Sequence, residues 1–199
     1  MPDPIEHIRK NLTKAVTPSS DYDLNPDITL PAGRKLRDAA VLVPLIEQAD
    51  GWNVILTMRS SALKHHPGQI AFPGGKQDNG DANLAETALR EAEEEIGLKR
   101  TNVEVLGNLP THETVTGFTV TPIVGVLNTP FQAVPEAGEV AEIFHVPLSF
   151  LAEPENFTIQ SRRWRGQFRH FYTIPFGPYY IWGATARMLR TFADVVDLK

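Results

Sequence analysis

Arg90-Glu91-Ala92-Glu93-Glu94-Glu95-Ile96-Gly97-Leu98 is the stretch on which the reading of this chain turns. At about 100° per residue, Glu91, Glu94 and Glu95 fall within one arc and Glu93 points elsewhere. Ala85, Ala88, Leu89, Ala92 and Ile96 form an apolar stripe beside that arc, so the three carboxylates stand at the edge of a buried face. Asp81 is a candidate N-cap and Gly97 a C-terminal stop, which predicts a helix over Ala82–Ile96. Like charges three and four positions apart repel, and the negative end of the helix dipole lies just ahead of them. A bound cation relieves such a cluster, and an all-oxygen ligand set selects Mg²⁺, Mn²⁺ or Ca²⁺ over softer metals. A solvated acidic face is the competing reading of the helix taken alone.

Outward from this helix, short strands mix irregularly with two or three helices, the pattern of an α/β or α+β sandwich. Ala39–Ile46 and Val54–Met58 flank the turn-like Gln48-Ala49-Asp50-Gly51-Trp52 and read as a hairpin. Val103–Leu109, Thr119–Leu127 and Ala141–Val146 read as further strands. Phe157–Gln160 and Phe168–Ile174 form another strand pair, separated by Arg162–Gly166. Gly183–Val196 places Ala184, Met188, Leu189, Phe192, Val195 and Val196 on one face of a second packed helix. Residues 1–38 differ: Ile5, Ile8, Leu12 and Val16 recur at helical spacing over Pro4–Val16, and Pro18, Pro26 and Pro31 mark an irregular linker. The expected division is an N-terminal helix and linker over 1–38 and a main domain over 39–199. The narrow apolar stripe of the first helix packs on its own domain or forms a homodimer contact.

Composition narrows the classes of function. The chain has 199 residues, 42% of them hydrophobic and 22% charged, which excludes wholesale disorder. It contains no cysteine, so thiolate catalysis and cysteine-ligated metals are excluded. The longest nearly apolar run, Ala39–Ile46, is interrupted by Pro44 and too short to span a bilayer, so no membrane partner is expected. Met1-Pro2-Asp3-Pro4 lacks the basic-then-apolar order of a signal peptide, and a cytoplasmic location is expected. A formal charge of −5 argues against a nucleic-acid partner. An acidic protein that handles phosphates needs metal ions or local basic groups. In that setting Arg162-Arg163-Trp164-Arg165 reads as a hairpin tip or a phosphate contact. His65 and His66 are adjacent and are not expected to ligate a metal.

Phe72-Pro73-Gly74-Gly75-Lys76 precedes the glutamate helix, and its glycines let backbone approach a ligand or metal closely. From Gly75 to Leu98 the chain resembles the Nudix box: a glycine, a spacer with an acid, then Arg-Glu-x-x-Glu-Glu-x-Gly and an aliphatic residue. The spacer is one step longer than the general form, and its acid is Asp81 in place of Glu. Ile55-Leu56-Thr57-Met58-Arg59-Ser60, Lys64 and Gly68-Gln69-Ile70-Ala71-Phe72-Pro73-Gly74-Gly75 resemble the signature of the coenzyme A diphosphatases within that superfamily. Ile55 replaces a Leu there and Lys64 an Arg. Thr116–Gly125 and Ile181–Ala186 are similar to later stretches of the same subgroup.

The resemblance implies a Nudix fold, a mixed β-sheet sandwiched between helices, here with an N-terminal helical extension. It implies a small-molecule substrate, coenzyme A or its thioesters, cleaved at the pyrophosphate to 4′-phosphopantetheine and adenosine 3′,5′-bisphosphate. Mg²⁺ or Mn²⁺ would be held by Glu91, Glu94 and Glu95, with Arg90 orienting the glutamates. Arg59 and Lys64 suit phosphate oxygens, while Gly68, Gln69, Gly74 and Gly75 line the substrate site. Phe118 either stacks on an adenine or belongs to the core. The general base is Glu94 or a carboxylate on the later loop, where Glu136, Glu139 and Glu142 compete. Glu139 is preferred because it immediately precedes a strand that can anchor it. ADP-ribose as substrate, and a catalytically silent nucleotide-binding module, are the rival readings.

Overall fold

The computed structural model describes residues 4–14, 16–28, 30, 33–164 and 166–197, Trp164 by its backbone alone. Its first half contains α1 (Pro4–Asn11), β1 (Ser19–Ser20), β2 (Arg37–Gln48), β3 (Gly51–Arg59), β4 (Ile70–Ala71), β5 (Gly74–Lys76) and α2 (Leu84–Ile96). The second half contains β6 (Val103–Asn108), β7 (His112–Glu113), β8 (Phe118–Leu127), β9 (Val140–Pro147) and α3 (Leu148–Leu151). It closes with β10 (Thr158–Trp164), β11 (Gln167–Phe176), β12 (Tyr179–Trp182) and α4 (Gly183–Val196).

The central strand is β2. Its apolar run Ala39–Ile46 is buried almost throughout, the signature of a strand covered on both faces. It pairs parallel with β8 along Arg37–Leu45 and antiparallel with β5 and then β3 on its other edge. Pro44 falls between the stretch paired with β5 and the stretch paired with β3. β9 continues the sheet beyond β3, and β6 and β7 flank β8. The mixed sheet is therefore covered twice. On one face Ala88, Leu89, Ala92 and Ile96 of α2 pack against Ala40, Leu42, Ile55 and Ile123. On the other, Val43, Leu45, Val124 and Val146 meet α1, α4 and the small antiparallel sheet β10-β11-β12 through Ile8, Ile174, Ile181, Leu189 and Phe192. This is the sandwich the sequence predicts.

Several expected boundaries move. The first helix stops at Asn11, not Val16: the amides of Thr13 and Lys14 bond three residues back, to Lys10 and Asn11, in place of four, and the Asn11 side chain donates to the carbonyl of Val196. Ile5 and Ile8 are buried in the core of the same chain, so the stripe packs on its own domain, while Val16 is exposed. Gly74 and Gly75 form, with Lys76, a short strand where none was expected. Arg162 and Arg163 lie within β10, opposite Arg169 and Phe168. Arg165 and the Trp164 side chain, like Pro31 of the linker, lie outside the described residues. Among the described residues no helix is long and apolar enough to cross a membrane.

Candidate active site

The site is built on α2. Asn83, not Asp81, caps this helix, its side chain accepting from the amide of Glu86 at 3.0 Å. Gly97 ends it in the left-handed conformation, donating to Ala92 and Glu93 carbonyls. Asp81 is used elsewhere. Its two oxygens accept from Nε and Nη2 of Arg90, each at 3.0 Å, and Oδ2 also accepts from Thr87 Oγ1 at 2.9 Å and the Asp78 amide at 3.0 Å. Arg90 Nη1 then donates to Glu91 Oε1 at 2.9 Å and Glu94 Oε2 at 3.1 Å. One guanidinium thus ties the spacer acid to two of the glutamates, in the fork geometry only Arg provides. The bonds from Arg90 hold the Asp81 carboxyl well below the usual carboxylate range, and Asp81 holds Arg90 more firmly protonated.

The three arc glutamates stand at different depths. Glu95 is 5% exposed and accepts from the Gly74 amide at 3.2 Å. Burial pushes its carboxyl up to about 8, with the charges of Glu91 and Glu139 adding to the rise and Arg59 opposing it. Glu91 lies against Gly75, where a Cβ would come within 2.5 Å of its carboxylate. Burial raises the Glu91 carboxyl as well, against the pull of Arg90, and Glu139 again adds to the rise. The Glu94 side chain is 60% exposed. Glu139 thus bears electrostatically on both inner glutamates from a loop that precedes β9. Its carbonyl accepts from the Ser60 amide at 2.7 Å. Glu142, by contrast, accepts from Tyr179 Oη at 2.5 Å.

Among the described residues no three His, Asp or Glu side chains converge at metal-ligating distance, and Arg90 occupies Glu91 and Glu94. The donors nevertheless suit a hard divalent cation. A buried carboxylate with one backbone hydrogen bond, beside a second half-buried carboxylate, is an electrostatic cost that such a cation removes.

Arg59 closes the other side. β3 and β9 shift register between Met58 and Arg59, a bulge of the kind that re-aims side chains near active sites. The Arg59 Nε is buried and finds no acceptor among the described residues. Its backbone pairs with the next loop: the Arg59 amide donates to Gln69 at 2.9 Å, and the Gly68 amide to Arg59 at 3.1 Å. Gly68 takes a φ of 70°, which suits glycine. Lys64, His65 and His66 are exposed on the same loop. Phe118 lies at the start of β8 and is half-buried. It packs against the core cluster on the face opposite α2, and the Arg37 guanidinium lies 4.1 Å from its ring centre. The capping role of Asn83 and the Ser60–Glu139 bond escaped the sequence reading. Asn83 carried a capping signal in its residue type; the Ser60 bond carried none.

A clamped glutamate helix set against a glycine strand on a mixed sheet defines the architecture of a Nudix centre. The NUDIX domain family matches residues 36–165, and this chain belongs to it. A protein called uncharacterized Nudix hydrolase NudL from Citrobacter koseri is 40% identical over 163 residues, covering 82% of this chain and 84% of that protein. The protein of the same description from an Enterobacter species is 38% identical over 163 residues, with the same coverage. A MutT/nudix family protein from Enterococcus faecalis shares the fold, with a TM-score of 0.51 at 17% identity over 99% of this chain and 76% of that one.

Proposed function

We propose that this Nudix hydrolase cleaves the pyrophosphate of coenzyme A or its thioesters, yielding 4′-phosphopantetheine and adenosine 3′,5′-bisphosphate in the cytoplasm. The observation that carries the reading is the buried Nε of Arg59 near Glu95, without an acceptor among the described residues. It lies within the Ile55–Gly75 stretch that resembles the coenzyme A diphosphatases. A buried donor without a partner is costly, and a phosphate oxygen supplies the missing acceptor. Gln69 and Gly68, paired to the Arg59 backbone, shape the wall that receives the substrate, and the exposed Lys64 extends the positive charge outward.

Glu91 and Glu95 would hold Mg²⁺ or Mn²⁺ from within, and Glu94 from the solvent side. Such a cation would neutralise the diphosphate and acidify the attacking water. Asp81 fixes Arg90, and Arg90 orients Glu91 and Glu94. Glu139 takes the proton of the attacking water. In this reading residues 39–199 form the hydrolase domain and residues 1–38 strap its far face.

The test is a substrate panel of coenzyme A, acetyl-CoA, dephospho-CoA, ADP-ribose and a nucleoside triphosphate with Mg²⁺ or Mn²⁺, products resolved by mass. The expected result is a higher kcat/KM on coenzyme A or its thioester than on ADP-ribose, falling at least tenfold in Arg59→Ala. Equal rates on ADP-ribose and coenzyme A overturn the substrate assignment. No hydrolysis of any member supports the silent binding module.

A further inference from the structure

The loop that carries Glu139 is fixed at several points, and most of them converge on Glu136. Its amide donates to the carbonyl of Glu95 at 2.9 Å, next to the Val134 amide on Ile96 at 3.0 Å. Its own carbonyl accepts from the amides of Glu139 at 3.1 Å and Val140 at 2.8 Å, closing a turn over residues 136–140. Its carboxylate folds back over that turn, Oε2 accepting from the Gly138 amide at 2.8 Å. Gly138 leaves room for this bond, since a Cβ there would approach Oε2 to 3.1 Å. Glu139 is therefore held through its amide by Glu136 and through its carbonyl by Ser60.

We propose that Glu136 is a positioning residue, which sets the distance between Glu139 and the glutamate helix. This rests on the assignment of Glu139 as the proton acceptor. One end of Glu136 is bonded to the helix residue Glu95 and the other to the turn that presents Glu139. The three acids of the loop thus divide their work. Glu142 is engaged by Tyr179, Glu136 builds the turn, and Glu139 acts through its charge on Glu91 and Glu95. An exposed loop without the carboxylate bond samples more conformations, and a displacement of about 1 Å in a reacting group costs on the order of 10²-fold in rate.

The experiment compares Glu136→Ala, Glu136→Gln and Glu139→Gln in the full chain, reading kcat, KM and the exchange rate of the Gly138 amide. Glu136→Ala is expected to lower kcat about 10-fold to 100-fold with KM little changed, and to speed Gly138 exchange. Glu136→Gln keeps an oxygen acceptor and is expected to rescue both readouts. Wild-type kcat in Glu136→Ala with fast Gly138 exchange overturns the proposal. So does a Glu136→Gln variant as impaired as the alanine variant, because charge would then matter and the hydrogen bond would not. If Glu139→Gln turns over normally, the assignment of Glu139 fails by itself. Unchanged Gly138 exchange in Glu136→Ala separately removes Glu136 as the fastening of the turn.

Discussion

Gly74 and Gly75 are neighbours in one short strand, yet alanine at each should fail for a different reason. A Cβ on Gly74 would lie 2.5 Å from the Ala40 carbonyl oxygen and 2.6 Å from Val41 Cα. Both are backbone atoms of the central strand, so β2 and β5 must part. Overpacking of this kind costs about 1–3 kcal/mol, and at this chain length each kcal/mol lowers Tm by about 2–4 °C. A Cβ on Gly75 would lie 2.5 Å from the carboxylate of Glu91. That is the far end of a flexible side chain, which swings away by roughly 1 Å to restore ordinary contact and strains its hydrogen bond from Arg90 as it does so. Gly75 does not use a positive φ, so alanine there also narrows the unfolded ensemble by about 0.4–1 kcal/mol, which offsets the loosened Arg90–Glu91 bond and leaves stability little changed. The displaced carboxylate instead weakens metal affinity and lowers kcat on the order of 10²-fold. Urea midpoints, calorimetric Mn²⁺ titration and steady-state hydrolysis separate the two outcomes. Wild-type turnover and Mn²⁺ affinity in Gly75→Ala would refute the placement of Glu91 in the chemistry, and a Gly75→Ala variant less stable than Gly74→Ala would refute the packing argument.

Two further outcomes follow from burial. In metal-free protein the Glu95 carboxyl sits at about 8 when folded, against roughly 4.3 in an unfolded chain. Between those values the native state keeps a proton the unfolded chain has released, so stability falls as pH rises through that window, on the order of a few kcal/mol. Glu95→Gln should flatten this slope; urea midpoints in EDTA at pH 5 and 8.5 that fall in parallel for both proteins would exclude Glu95 as its source. Ile8 is 1% exposed within the core, so Ile8→Ala should cost about 2–5 kcal/mol without changing the mass by light scattering. A loss under about 1 kcal/mol would mean that α1 does not help to close the core.

The longer elements were legible because their hydrophobic periods are unambiguous, and α4 spans the predicted Gly183–Val196. The shorter ones were not, for reasons visible in their residues. β5 consists of two glycines and a lysine, poor strand formers that are present because Val41 and Glu91 leave no space for a side chain. β12, Tyr179-Tyr180-Ile181-Trp182, runs directly into α4 without an alternating pattern. The helix start was misplaced because two short polar residues stand on either side of Ala82. Asp81 and Asn83 are both competent caps, and it is the demand of Arg90, nine residues further on, that leaves capping to Asn83. Local signals cannot rank two caps when a tertiary ion pair claims one of them.

The site shows the same division between angle and depth. Spacing on a helix placed Glu91, Glu94 and Glu95 in one arc, but not the gradient from a 5% exposed Glu95 to a largely exposed Glu94 side chain. That gradient arises because the inner edge of α2 leans on β5, where Gly74 binds one carboxylate and Gly75 makes room for another. The pairing of Glu139 with this edge is also settled at long range. A helix ends with carbonyls that lack intrahelical partners. In α2 two of these, from Glu95 and Ile96, are taken by the amides of Glu136 and Val134. Ending the helix and delivering the loop are therefore one event, because the groups that α2 leaves unsatisfied are those that bind the chain running toward Glu139. The same residue, Glu95, then contributes a buried carboxylate on one side and a loop anchor on the other. A substitution that melts the last turn of α2 should accordingly displace Glu139 and the inner glutamates together, whereas one confined to the 136–140 turn should displace Glu139 alone.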